Sequence, residues 1–213
     1  MVEKLYRRVC EEKFCDRVLV PQHSVTEFKR LIVLAKECAR ISNMKWTLFT
    51  GTWKLTNREV ENDVRQAVRG VLSRGHGIVT GGATGVDYFA MDEAMKIFPD
   101  ASRIKVIIPA FFKSYIYDYR TNWLVSPLTI ETINDLEKLL QQIKDVNPES
   151  LIEMQSDLIT QDHYNDRHDE EVKISDEVYA FQVNNSTGTQ DTLNKAIKSG
   201  LPITLHKKYI IEL

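Results

Sequence analysis

No apolar run in this 213-residue sequence approaches the roughly 18 residues of a membrane span, so no membrane partner is expected. The start, Met1-Val2-Glu3-Lys4-Leu5-Tyr6-Arg7-Arg8, has no apolar stretch after its charges, which reads as no secretory signal and gives the expectation of a cytoplasmic protein. Cysteine is scarce: Cys10, Cys15 and Cys38 show no CxxC spacing and precede the candidate domain, so they suggest free thiols on helices, with neither a disulfide framework nor a metal site. No repeat array is present, and nothing calls for a cofactor. Positive charge is thin in the middle of the chain. Residues 131–177 carry four Lys/Arg against fourteen Asp/Glu, a balance of −10, whereas residues 1–45 carry ten against six, or +4. The middle segment should repel nucleic acid.

What is present is a globular composition, 43% hydrophobic and 27% charged, in a chain long enough for one core and a small appendage. Residues 1–45 read as an N-terminal helical extension: Leu5, Val9 and Phe14 recur at helical spacing, and Ser24-Val25-Thr26-Glu27 has capping-box form. From Met44 onward, short apolar runs alternate with amphipathic helices, the pattern of a parallel sheet covered on both faces. Strands are expected at Trp46–Thr50, Gly77–Thr80, Ile104–Ile108, Glu177–Phe181 and Pro202–His206. A helix should open at Thr56, with Glu59 completing a capping box, and another should follow Gly85. The segment of about 124–162 interrupts the alternation and reads as an acidic helical insertion, its second helix capped by Asn147-Pro148 and running to about Ile159. The expectation is an α/β, Rossmann-like five-stranded parallel sheet of order 3-2-1-4-5 over residues 46–213. Its crevice should lie at the switch point, where the loops at Gly51 and Ser186 meet beside the Gly81 loop.

A phosphate needs converging backbone amides and room for close approach, which a strand-glycine-helix junction supplies together with the positive end of a helix dipole. Gly81, Gly82, Ala83, Thr84 and Gly85 fit that need, although the same glycines would also serve a tight βα turn with no ligand. Ser186, Thr187, Gly188 and Thr189 offer hydroxyls and free helix amides, or ordinary N-capping. Thr50, Gly51 and Thr52 make a third such loop, and three of them after three strands point to a shared ligand. Asp87 could receive a ribose hydroxyl or base amine, or simply favour the helix dipole. Asp92 and Glu93, further into that helix, should face solvent. Arg167 could grip a phosphate; His163 and His168 could act as general acids, and their spacing argues against a metal pair. Trp53 is the better base-stacking candidate, while Tyr115, Tyr117, Tyr119 and Trp123 read mainly as packing.

Thr80-Gly81-Gly82-Ala83-Thr84-Gly85-Val86-Asp87 resembles the glycine-rich segment of the SLOG superfamily, which includes DNA-processing protein A (DprA) and the LOG phosphoribohydrolases. The stretch from Ser175 to Phe181, followed by Ser186-Thr187-Gly188-Thr189-Gln190-Asp191-Thr192, resembles the DprA-like pattern. The resemblance implies a Rossmann-like domain that binds a nucleotide, a nucleotide-derived signal or single-stranded DNA, and it implies a homodimer. LOG-type hydrolases carry a glutamate three residues after the GT of their PGGxGT motif; this chain has Thr192 there and lacks the Pro-Gly-Gly. Asp191, one residue away, points about 100° elsewhere on a helix.

The residues therefore support nucleotide or nucleotide-like ligand binding first. A nucleoside monophosphate N-glycoside hydrolase is the alternative, with Asp87 or Glu93 as the catalytic candidate. A single-stranded DNA accessory protein is the third reading, with Lys113, Arg120, Lys195 and Lys198 as its basic face.

Overall fold

The structure is a computed structural model, and it describes residues 44–124 and 127–212. The expected N-terminal helices and all three cysteines lie outside the described residues, apart from the last two positions of the extension, Met44 and Lys45.

Six strands, β1 (Trp46–Gly51), β2 (Gly77–Thr80), β3 (Ile104–Ile108), β4 (Leu151–Glu153), β5 (Glu177–Val183) and β6 (Ile203–Tyr209), form one sheet in the order β4-β3-β2-β1-β5-β6. Every neighbouring pair is parallel. Helices α1 (Arg58–Ser73), α2 (Val86–Ile97), α3 (Phe112–Asn122), α4 (Ile130–Val146), α5 (Gln161–Lys173) and α6 (Thr187–Ser199) connect them. The period-2 alternation of strands sorts the apolar residues into two cores. Phe49, Ile78, Val106, Ile108 and Phe181 pack against residues of α1 to α4, whereas Leu48, Val79, Ile107, Val178 and Ala180 pack against Val172 of α5 and Leu193 and Ala196 of α6. Both faces are covered, which is why the strands read as continuous apolar runs.

Two expectations need correction. The sheet has six strands rather than five, and its order differs from 3-2-1-4-5 because β4 adds outside β3. Pro148 starts only a three-residue 3-10 turn, Pro148–Ser150, after which Leu151–Glu153 turns along β3 with Val106 opposite Leu151. The insertion is therefore one long helix and a strand, not a helical pair. A three-residue strand has too little length to show a period, and Leu151-Ile152 would fit a helix equally well. What fixes it is tertiary: the Glu153 carboxylate accepts from the Phe112 amide at 2.8 Å and from Lys144 Nζ at 2.6 Å. Second, the cap of α1 is Asn57, whose Oδ1 accepts from Val60 N at 3.0 Å, and not Thr56. The tyrosines after β3 lie on a helix, where Tyr115 and Tyr119 are buried one turn apart, in keeping with packing, and Tyr117 is exposed. No described helix is long and apolar enough to cross a membrane.

Candidate functional site

β1 and β5 are the neighbours at the switch point, with Gly51 opposite Phe181. Beyond their C-terminal ends opens a cleft of about 650 Å³. Thr50, Gly51, Thr52 and Trp53 from β1, Ala83 and Asp87 from the β2–α2 junction, Arg167, His168 and Glu171 from α5, and Ser186, Thr187, Gly188 and Thr189 from α6 all line it. The three expected loops do converge. Gly81, Gly82, Thr84 and Gly85, however, sit behind the lining.

The chemistry of the two glycine-bearing loops is different. In the β2–α2 loop the amides of Gly81 and Ala83 are already engaged: Asp87 Oδ2 accepts from the first at 3.0 Å and from the second at 3.2 Å. Gly82 N lies 3.4 Å from Thr80 Oγ1 and Thr84 N lies 3.4 Å from Tyr119 Oη, both long contacts, while Thr84 Oγ1 donates to the Trp53 carbonyl at 2.7 Å. A carboxylate of the chain thus occupies the position where a ligand phosphate would collect amides. The glycines serve close approach. A Cβ at Gly81 would lie 2.5 Å from Glu171 Oε1 and 2.7 Å from Arg167 Cζ. Gly82 and Gly85 both adopt φ +68°, which other residues rarely tolerate.

At the start of α6 the opposite holds. Ser186 makes no side-chain cap, its Oγ instead meeting Thr189 Oγ1 at 2.5 Å, and its own amide turns back to the Val183 carbonyl. The amides of Thr187, Gly188 and Thr189 have no acceptor among the described residues. These are the orphan donors of a 13-residue helix, at the positive end of its dipole, facing the cleft.

Beneath the cleft lies a buried charge cluster on α5. Arg167 Nη1 donates to the Gly81 carbonyl at 3.0 Å and Nη2 meets His168 Nε2 at 2.8 Å. Because a guanidinium only donates, Nε2 is the acceptor, and Nδ1 carries the proton toward Asp191 Oδ2 at 2.9 Å. Burial, reinforced by Arg167, lowers the His168 pKa to about 4, so the ring is neutral at physiological pH. Glu171 Oε1 lies 3.1 Å from Arg167 Nε, near enough for an ion pair but outside hydrogen-bond geometry, so both atoms remain buried and unpartnered. Burial pushes the Glu171 carboxyl up to about 8, with Arg167 opposing and Asp87 adding to the rise. Burial likewise raises Asp87 to about 6 against the pull of Arg167 and of the Ala83 and Gly81 amides. Near neutral pH the cleft therefore has a protonated carboxyl, a largely ionised one and a guanidinium within one cluster. Such an arrangement can bind an anion and hold a transferable proton.

Other candidates lie elsewhere. Glu93 is buried between α1 and α2, paired with Arg65 and Arg69, and Asp92 is held by Arg65 and Lys96. Neither faces open solvent as expected, and neither lines the cleft. His163 completes the capping box of α5 with Thr160. Of the proposed basic face, Arg120 pairs with Glu137, and Lys195 pairs with Asp169. Among the described residues no group of three or more His, Cys, Asp or Glu is placed to hold a metal. Sequence reasoning missed Glu171, although positions 164, 167, 168 and 171 recur at helical spacing. Arg167 and His168 were singled out, but Glu171 was not, because a buried helix face made of Tyr, Arg, His and Glu does not look like one.

No family model matches the chain, and no curated protein matches it. Among solved structures it is similar to DNA processing protein A from Helicobacter pylori, described for its single-stranded DNA binding mode, with a TM-score of 0.53 at 16% identity over 82% of this chain and 68% of that one. It also matches the structural-genomics target TM1055 (TM-score 0.45, 14% identity, 75% of this chain and 72% of that one). DprA from Streptococcus pneumoniae follows (TM-score 0.42, 14% identity, 76% and 59%). The fold is DprA-like, as the glycine-rich segment led one to expect.

Proposed function

We propose that this domain binds a nucleotide or nucleotide-derived ligand, its phosphate seated on the α6 N-terminus at Ser186, Thr187, Gly188 and Thr189 and its sugar passing Asp87 and Glu171. The observation that carries this reading is the set of three unengaged helix amides opening into a cleft of about 650 Å³, within the usual size of a small-ligand site. Arg167 adds positive charge from below, and Thr50, Gly51 and Thr52 form the opposite wall. Gly81, Gly82, Thr84 and Gly85 shape the floor in this reading. The test is thermal denaturation with inorganic phosphate, ribose 5-phosphate and nucleoside monophosphates. A concentration-dependent rise in Tm is expected; no shift with any of them at millimolar concentration would sink the reading.

Hydrolysis of the N-glycoside is a second reading, and the buried Asp87 and Glu171 carboxyls favour it. Glu171 could give its proton to the departing base nitrogen while water supplies the hydroxyl at the ribose carbon, with the second water proton released to solvent. Release of free base by the wild type, lost in Glu171→Gln, is its expected signature. Single-stranded DNA, the partner named for the Helicobacter pylori relative, is tested by oligonucleotide binding at low salt. Two of the four basic residues assigned to it already have acidic partners.

A further inference from the structure

Part of the cleft wall is aromatic, with the Gln161 and Asn165 amides beside it bonded to each other at 3.3 Å. Trp53, Tyr119, Trp123 and Tyr164 all line it. They form an edge-to-face ladder: Trp53 and Trp123 have centroids 5.1 Å apart at 80°, Trp123 and Tyr164 6.3 Å at 86°, and Trp53 and Tyr119 6.4 Å at 87°. Each edge-to-face contact covers one face of one ring, and none of these rings is stacked face to face on another.

One buried carboxylate holds much of this wall. Asp118 of α3 accepts from Trp123 Nε1 at 2.7 Å and from Tyr164 Oη at 3.2 Å, and its other oxygen accepts from Asn122 Nδ2 at 2.7 Å. The polar edges of Trp123 and Tyr164 are therefore turned to Asp118. What they offer the cleft is carbon. Opposing the charge of the Asp118 carboxylate, two cations lie over ring faces, Lys54 Nζ 6.0 Å from the Trp53 centroid and Arg167 Cζ 5.4 Å from the Tyr164 centroid. That disfavours a cationic occupant and suits an uncharged ring carried by an anion.

We propose that Trp53, Trp123 and Tyr164 form a base-stacking subsite that takes a nucleobase by its face and does not read its hydrogen-bonding edge, with Asp118 as the positioning residue. This rests on the phosphate seat at α6 proposed above and adds the substrate class: nucleoside phosphates of either purine, accepted without base discrimination. Stacking on aromatic side chains is sequence-tolerant because every base has a π face.

Binding of adenosine, guanosine and cytidine 5′-monophosphates and of ribose 5-phosphate, followed by tryptophan fluorescence or calorimetry, tests the inference. The two purine nucleotides should bind within about threefold of each other, the pyrimidine more weakly, and all more tightly than ribose 5-phosphate, the purines by about tenfold to a hundredfold. Trp123→Ala should bring the purine nucleotides down to the ribose 5-phosphate level while leaving ribose 5-phosphate itself unchanged. Trp123→Phe, which keeps a ring face but drops the bond to Asp118, should recover most of the preference. Asp118→Asn should lower nucleotide affinity and again spare ribose 5-phosphate. Equal loss for both ligands in Trp123→Ala, a purine preference beyond thirtyfold, or ribose 5-phosphate binding as tightly as the nucleotides would each overturn the subsite and leave the phosphate seat standing. If neither ribose 5-phosphate nor any nucleotide binds, the phosphate seat falls and the subsite with it.

Discussion

The β2–α2 loop and the start of α6 both follow a strand, both carry glycine and hydroxyl side chains, and both point toward the same cleft. They differ in which of their donors are taken. Gly81 and Ala83 have their amides on Asp87, whereas Thr187, Gly188 and Thr189 have no acceptor among the described residues. Around Gly81 and Ala83 the richer glycine motif is thus the poorer anion site. A glycine reports where backbone must bend or approach closely; whether its amide is free depends on what side chain follows, and Asp87 follows here.

Introducing a carboxylate where the free amides lie gives the largest expected effect. A Cβ at Gly188 meets nothing within 4 Å, so Gly188→Asp should fold normally and place a negative charge of its own at the α6 N-terminus. Phosphate and nucleotide affinity should fall about a hundredfold, roughly 2.7 kcal/mol, with Tm no lower than that of the wild type. Retained binding in a folded variant would return the role to the β2–α2 loop and erase the contrast.

The reverse change tests the other loop. Asp87→Ala removes the acceptor of two buried amides and a neighbour of Arg167, and should cost about 2 kcal/mol of stability in chemical denaturation. Asp87→Asn, which keeps one acceptor oxygen, should cost less. An Ala variant as stable as the wild type, or one that binds phosphate more tightly through freed Gly81 and Ala83 amides, would show Asp87 to be a removable plug and not part of the turn.

The alternation of apolar runs and helices made most of the sheet legible, because β1, β2, β3, β5 and β6 are each long or apolar enough to show in local sequence. β4 was not, since its identity lies in pairing with β3. The cleft was legible in outline, through Gly51, Ser186 and Asp87. Its working groups were less so. Glu171 sits among Asp169, Glu170 and Lys173, where one buried acid looks like its exposed neighbours. Asp118 acts on rings 5 and 46 positions away, and only the fold brings Tyr164 to it. Glu93 erred the other way: a helical acid near the glycine loop looked catalytic, yet the 3.6-residue turn directs it to α1 and its arginines.

The last test concerns Glu171, and its sign is fixed by burial. In the unfolded chain this carboxyl titrates at its ordinary 4.5, and in the folded protein at about 8. Between those values the unfolded chain releases a proton that the folded one keeps, so the contribution of Glu171 to stability is full below about pH 4.5 and is lost as pH rises through 8. Asp87 acts in the same direction from 3.8 to about 6. His168, lowered from 6.5 to about 4, acts oppositely: its contribution is present above pH 6.5 and lost as pH falls toward 4. Glu171→Gln keeps the shape of the protonated acid and cannot ionise. Its unfolding free energy should match that of the wild type below about pH 4.5 and exceed it increasingly as pH rises through 8, since the variant has no proton to lose at this position. A bound phosphate brings more negative charge into the same cleft and should raise the Glu171 pKa further. Binding near pH 8 should therefore take up a proton in the wild type and none at this position in Glu171→Gln, which calorimetry in buffers of different ionisation enthalpy would detect. Parallel pH profiles for the two proteins would mean that Glu171 is ionised throughout, held by Arg167 as an ordinary ion pair, and the cleft would then have no proton to offer.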